Sequence, residues 1–96
     1  MPSAYETMYI LRPDLGEEQI EQAIAKYENF LKDQGATDLQ IQLRGKRRLA
    51  YEIKKNSEGI YAVVEMNCEP ATVQELDRLL TLNESVLRTK VLRADQ

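Results

Sequence analysis

Arg44, Lys46, Arg47, Arg48, Lys54 and Lys55 put six cations into twelve positions, with Glu52 the one acid among them. The segment carries a local net charge of +5 in a 96-residue chain whose total is −3, so the remaining residues sum to −8. Such segregation creates a positive field over an acidic body, and the local field is what a phosphate backbone meets. Lysines and arginines grouped in this way can position RNA without reading its sequence. A basic run is a weak motif by itself, because Lys and Arg on an edge strand also discourage strand-to-strand aggregation. Two details favour an anionic partner over a merely solvated edge. The bases flank the apolar Leu49-Ala50-Tyr51, which can pack and hold the charges in place, and +5 on an otherwise acidic chain exceeds what solubility asks. Tyr51 is expected in the core rather than stacked on a base.

Catalytic chemistry finds little support. Histidine, the commonest general base, is absent, and Ser3, Ser57 and Ser85 have neither a histidine partner nor a G-x-S-x-G elbow. The single cysteine, Cys68, excludes an intrachain disulfide and a cysteine-based zinc cluster, and reads as a small packing residue. No calcium-loop spacing occurs. A phosphatase of the acylphosphatase type would need an arginine in a phosphate-cradling loop after the first strand; Arg12 is nearby, but the glycine-rich loop is missing. The expectation is therefore a non-enzyme without cofactor, metal or small-molecule substrate.

The elements that position the basic segment follow from periodicity. Tyr5–Leu11 is β-branched and aromatic and reads as a strand ended by Pro13. Asp14 and Glu17 have capping-box spacing, after which Ile20, Ala23, Ile24, Tyr27, Phe30 and Leu31 recur at three- and four-residue steps, predicting a helix closed by Gly35. Leu39, Ile41 and Leu43 alternate with polar residues, and the extended pattern resumes after Gly45. One straight strand over 37–53 would be roughly 56 Å long at about 3.3 Å per residue. That is too long for a small domain, so a bulge or bend is expected near Gly45, with the basic end projecting beyond the sheet. Lys54–Gly59 reads as a turn in which Asn, Ser and Gly supply the special dihedrals. Ile60–Met66 is the most apolar strand and is expected to be central. Pro70 opens a second helix carrying Val73, Leu76, Leu79 and Leu80, Asn83 stops it, and Val86–Leu92 is a last strand.

The order strand, helix, strand, strand, helix, strand fits a single α+β domain over residues 1–96. In it a four-stranded antiparallel sheet carries both helices on one face, the ferredoxin-like arrangement. No apolar run reaches the ~20 residues that span a bilayer, and MPSAYE has neither the basic start nor the apolar stretch of a signal peptide. An RNA-recognition motif, which shares this topology, would need a base before Gly59 and aromatics after it, where the chain has Glu58 and aliphatics.

Four pieces, YETMYILRPDL at Tyr5–Leu15, GKRRLAYEIKK at Gly45–Lys55, EGIYAVVEM at Glu58–Met66 and NESVLRTKVLR at Asn83–Arg93, together resemble the small-subunit ribosomal protein six family of bacteria and their organelles. The resemblance covers almost the whole chain, and GKRRLAYEIKK is its specific part. It implies a structural constituent of the small ribosomal subunit that binds a multi-helix junction in the central domain of small-subunit rRNA. The family does so as a heterodimer with small-subunit ribosomal protein eighteen, in the cytoplasm or, for a plastid source, on the organellar ribosome. Carried over by motif, Lys46, Arg47 and Arg48 lead as RNA contacts, Lys54 and Lys55 support them, and Arg44, Arg88, Lys90 and Arg93 follow. The chain departs from the family where it has Glu52 in place of a common proline and Arg44 in place of a common aromatic. The alternative is a non-ribosomal domain of the same fold that binds a protein or senses a ligand, with its basic segment solvated.

Overall fold

A computed structural model describes residues 1–94 of the chain. Its elements run β1 (Ser3–Leu11), α1 (Glu17–Asp33), β2 (Thr37–Ile53), β3 (Asn56–Cys68), α2 (Pro70–Leu82) and β4 (Val86–Arg93). The strands form one antiparallel sheet in the order β2-β3-β1-β4, the ferredoxin-like arrangement. The apolar strand β3 is indeed interior.

Alternation decides the two faces of the sheet. In β1 the odd residues Tyr5, Thr7, Tyr9 and Leu11 are buried, and their β3 partners Met66, Val64, Ala62 and Ile60 join them. Onto this face pack Tyr27 and Leu31 of α1 and Val73, Leu76 and Leu80 of α2, which makes the main core. Burying a Leu or Val side chain contributes about 1.5–3 kcal/mol, so these residues dominate the stability of the sandwich. The rings of Tyr9 and Tyr27 meet edge to face at 5.7 Å. The Tyr27 hydroxyl accepts a hydrogen bond from Asn83 Nδ2 (2.7 Å), which ties the end of α2 to α1.

The ends of α1 show one expectation corrected. The N-cap is Gly16, not Asp14, and the side chain of Gln19, not Glu17, accepts the Gly16 amide (2.9 Å). Asp14 instead pairs with Arg12 at 3.3 Å. The helix therefore starts two residues later than the capping-box spacing implied. At its other end the Ala36 amide reaches the Leu31 carbonyl (2.9 Å) and the Gly35 amide reaches that of Lys32 (3.0 Å), the hydrogen-bond pair of a Schellman motif.

The second face of the sheet carries no helix. Glu6, Met8 and Ile10 of β1 point there, with Tyr61, Val63 and Glu65 of β3 and Arg88 and Lys90 of β4. What covers part of it is the chain's own hairpin.

Candidate nucleic-acid interface

The long strand β2 is broken where its sequence implied. The register with β3 shifts between Leu43 and Gly45, leaving Arg44 as the extra residue of a bulge, and Gly45 has φ +84, a conformation that other residues adopt only with strain. Past the bulge, pairing with β1 ends at Leu11–Ile60, while β2 and β3 continue alone through Arg47–Gly59 and Arg48–Glu58 to Ile53–Asn56. The basic segment is thus a two-stranded arm. It does not project freely, as the strand-length argument suggested, but folds back over the helix-free face. Leu49 is buried with Ile10 and Leu87 in a second apolar cluster, against which Ile53 and Tyr61 pack. The close approach is possible because residue 59 has no side chain: a Cβ there would overlap Cγ2 of Ile10.

The turn also differs from expectation. Lys54 and Lys55 themselves take positive φ, +49 and +68, and Asn56 already belongs to β3. A two-residue hairpin turn of type I′, whose twist matches its strands, requires positive φ at both central positions. Here those positions fall on lysines. Asn56 Nδ2 binds the Lys54 carbonyl (3.0 Å) and holds the turn closed. Lys54 Nζ reaches the Val86 carbonyl (3.5 Å), which anchors the tip to β4.

The nine basic residues singled out by sequence occupy three places. Arg44, Arg47, Arg88 and Lys90 share the helix-free face, where Arg47 lies 6.0 Å from the centre of the Tyr61 ring and Arg88 lies 5.5 Å from that of Tyr51. Arg44 is steadied by Gln42 Oε1 (3.1 Å). Lys46 pairs with the core-facing Ile60, and Arg48 with Glu58, so both point to the opposite side of the same arm, while Lys54 and Lys55 form its tip. Arg93 is apart. It sits opposite Tyr5, with its guanidinium on Ser3 Oγ (3.0 Å), about 17 Å along β4 from Arg88 at ~3.3 Å per residue. The structure therefore brings eight of the nine together at the arm end of the sheet.

Among the described residues, none of these eight cations stands in an ion pair, whereas Arg12, Lys32 and Arg78 elsewhere each face a carboxylate. The acids of the helix-free face, Glu6 and Glu65, are directly opposite each other towards the far end of the sheet. The face is consequently polar in charge along its length, with unneutralised cations at the arm.

Sequence reasoning misplaced Tyr51. It was expected in the core, but 58% of it is exposed, at the mouth of a groove between the arm and the sheet. Register slips between Arg48 and Ile53, so alternation there gives no guide to which side chain turns inward.

Cys68 behaves as the packing residue its position suggested, 4% exposed. Burial raises its thiol pKa, and the neighbouring Glu69 carboxylate adds to the rise. Its thiolate is depleted near neutral pH, so alkylation by iodoacetamide at pH 8 is expected to be slow in the native protein and rapid in denaturant. Fast native labelling, followed by mass spectrometry, would contradict this placement.

No helix among the described residues is long and apolar enough to cross a membrane, and no cluster of metal-ligating side chains is found among them.

Comparison with known proteins places this geometry. Residues 4–93 match the family model described as Ribosomal protein S6. The chain is 56% identical over 92 residues to small ribosomal subunit protein bS6 of Nocardioides sp., covering 96% of both chains. It is likewise 56% identical over 88 residues to the protein of that name from Nostoc sp., covering 92% of this chain and 82% of the relative. The crystal structure of 30S ribosomal protein S6 from Thermotoga maritima superposes with a TM-score of 0.90 at 27% identity, covering 99% of this chain and 90% of that one.

Proposed function

The chain belongs to the ribosomal protein S6 family, and from that membership we propose that it is a structural, non-catalytic component of the small ribosomal subunit. In this reading it binds the central domain of small-subunit rRNA together with small-subunit ribosomal protein eighteen, as part of the cytoplasmic ribosome. The arm contributes Lys46, Arg47 and Arg48 as the main phosphate contacts. Lys54 and Lys55 support them from the tip, and Arg44, Arg88 and Lys90 from the helix-free face. Arg93 extends the contact at the far end of β4.

One observation carries the RNA-binding part of this reading: eight cations with no carboxylate partner among the described residues, gathered at one end of an otherwise acidic domain. Surface cations that have no ion pair to break can displace the counterions of a polyanion at little cost. Their split over two sides of one arm suits insertion between neighbouring RNA strands, as at a helical junction.

The test is reconstitution of the full chain, alone and with protein eighteen, on a transcript of the rRNA central domain. Saturable binding is expected, strongest with both proteins present and weakened by salt. Equal affinity for an unrelated structured RNA of the same length would reject the central-domain assignment. Absence of any RNA-dependent binding, with capture of a protein or metabolite that survives ribonuclease, would favour the interaction-domain alternative.

A further inference from the structure

We propose that the groove between the arm and the helix-free face receives a single unpaired nucleotide of RNA, whose base stacks on Tyr51 and whose phosphate meets Arg88 and Lys90. The proposal rests on the RNA-binding reading above and deepens it from phosphate neutralisation to the capture of a base.

Three features of the groove lead here. The first is the ring itself. Tyr5, Tyr9 and Tyr27 are almost wholly buried, whereas Tyr51 leaves more than half of its surface to solvent. Arg88 holds one face of that ring, 5.5 Å from its centre. A cation on one face fixes an exposed aromatic in place and leaves its other face as a ready platform.

The second is the charge of the lining. The floor is apolar, from Met8, Ile10 and Tyr61, and the charged residues that line it are Arg88 and Lys90, with no acid beside them. An apolar slot edged by cations matches a ligand that is flat and uncharged at one end and anionic at the other, which describes a nucleotide.

The third is size. The groove is open and encloses about 260 Å³, below the roughly 300–1,000 Å³ typical of pockets that enclose drug-sized ligands. It suits one heterocycle entering edge-on. A base inside a duplex already has both faces stacked on neighbours, so the ligand must come from a bulge, a loop or a junction. Stacking is tolerant of sequence, because every base has a π face, and the site selects unpaired bases rather than particular ones.

The experiment uses the full chain with protein eighteen and two RNA hairpins, one fully paired and one identical except for a single bulged 2-aminopurine. The wild-type complex is expected to bind the bulged hairpin about tenfold more tightly than the paired one, within the range of one base–aromatic stack, and to quench the 2-aminopurine fluorescence. Tyr51→Leu should lose both the preference and the quenching while keeping its affinity and salt dependence on the paired hairpin, and Tyr51→Phe should restore both. A Tyr51→Leu protein that keeps the preference overturns the proposal. So does one that no longer associates with protein eighteen, an outcome that assigns the groove to the protein partner. Failure of the wild-type complex to bind either hairpin overturns the RNA-binding reading itself. Loss of affinity for both hairpins alike in a Lys46→Ala/Arg47→Ala/Arg48→Ala protein that retains the tenfold preference supports the separation of base capture from phosphate neutralisation.

Discussion

The Lys46→Ala/Arg47→Ala/Arg48→Ala protein is expected to bind rRNA on the order of 10²–10³-fold more weakly than wild type near ~0.1 M salt, with its log-affinity against log-salt slope shallower by about 2–3. The slope follows from counterion release, about 0.9 per neutralised phosphate when an RNA duplex is treated as a comparable polyanion. The loss in affinity is the same quantity carried to that salt concentration. All three residues are exposed and stand in no ion pair among the described residues, so the fold should hold, with each substitution within about 0.5 kcal/mol of neutral. Geometry separates them further. Lys46 and Arg48 share one side of the arm and Arg47 lies on the other, against Tyr61, so Lys46→Ala and Arg48→Ala should couple more strongly to each other than either does to Arg47→Ala. Filter binding across a salt series reads all of this, and a triple variant with wild-type slope would remove these residues from the interface.

How much of this was visible before the structure differs by element. The β-branched and aromatic run Tyr5–Leu11, the apolar run Ile60–Met66 and the apolar stripe of α1 reflect contacts with the core, and these residues lie within β1, β3 and α1, although β3 reaches back to Asn56. The family resemblance, resting on four pieces of sequence in order, is supported by the match over residues 4–93. The arm was legible as a bulged, basic strand but not as one that folds back, because that depends on a clearance between Gly59 and Ile10 which sequence does not record. Tyr51 was misjudged for a related reason. Its stretch of β2 slips register against β3, and the period of two that sorts inward from outward residues fails there. The helix start was misplaced because a glycine N-cap offers no side chain to recognise, and the reciprocal partner Gln19 is legible only once the glycine is known. The positive φ angles of Lys54 and Lys55 break the usual preference for Asn and Gly. They leave both charges at the most advanced point of the arm.

Gly59→Ala is expected to destabilise the domain by about 1–3 kcal/mol, the usual range for forcing an extra methyl into a packed site. For a domain of this size that corresponds to a fall in Tm of roughly 5–20 °C. The added carbon would run into Cγ2 of Ile10, with the Leu11 carbonyl at 3.4 Å and Leu49 Cδ2 at 3.6 Å closing off escape on two other sides. Ile10 has little room to yield, since it is 3% exposed and packed with Leu49 and Leu87. Denaturant melts should therefore show a lower midpoint at unchanged slope. Truncating the obstacle tests the cause: Ile10→Ala with Gly59→Ala should be less destabilising than the sum of the two single changes. Strict additivity would mean that the two residues do not collide. The arm's position depends on this contact, so the same variant should lose part of the Tyr51-dependent preference for a bulged RNA.

The interruptions of β2 matter also for the time a newly made chain spends waiting for its rRNA. A seventeen-residue strand at the edge of a sheet would ordinarily offer a long ladder of unpaired amides to any second chain, the usual seed of fibrils and precipitates. Here the ladder is cut at Asp38 and Gly45, both at positive φ, and again between Arg48 and Ile53 where the register with β3 is lost. The cuts leave short stretches, Leu39–Arg44 being six residues, and like charge on the arm would push two such edges apart. The same kinks that aim the arm therefore also break up the open edge that an unassembled chain presents to its copies.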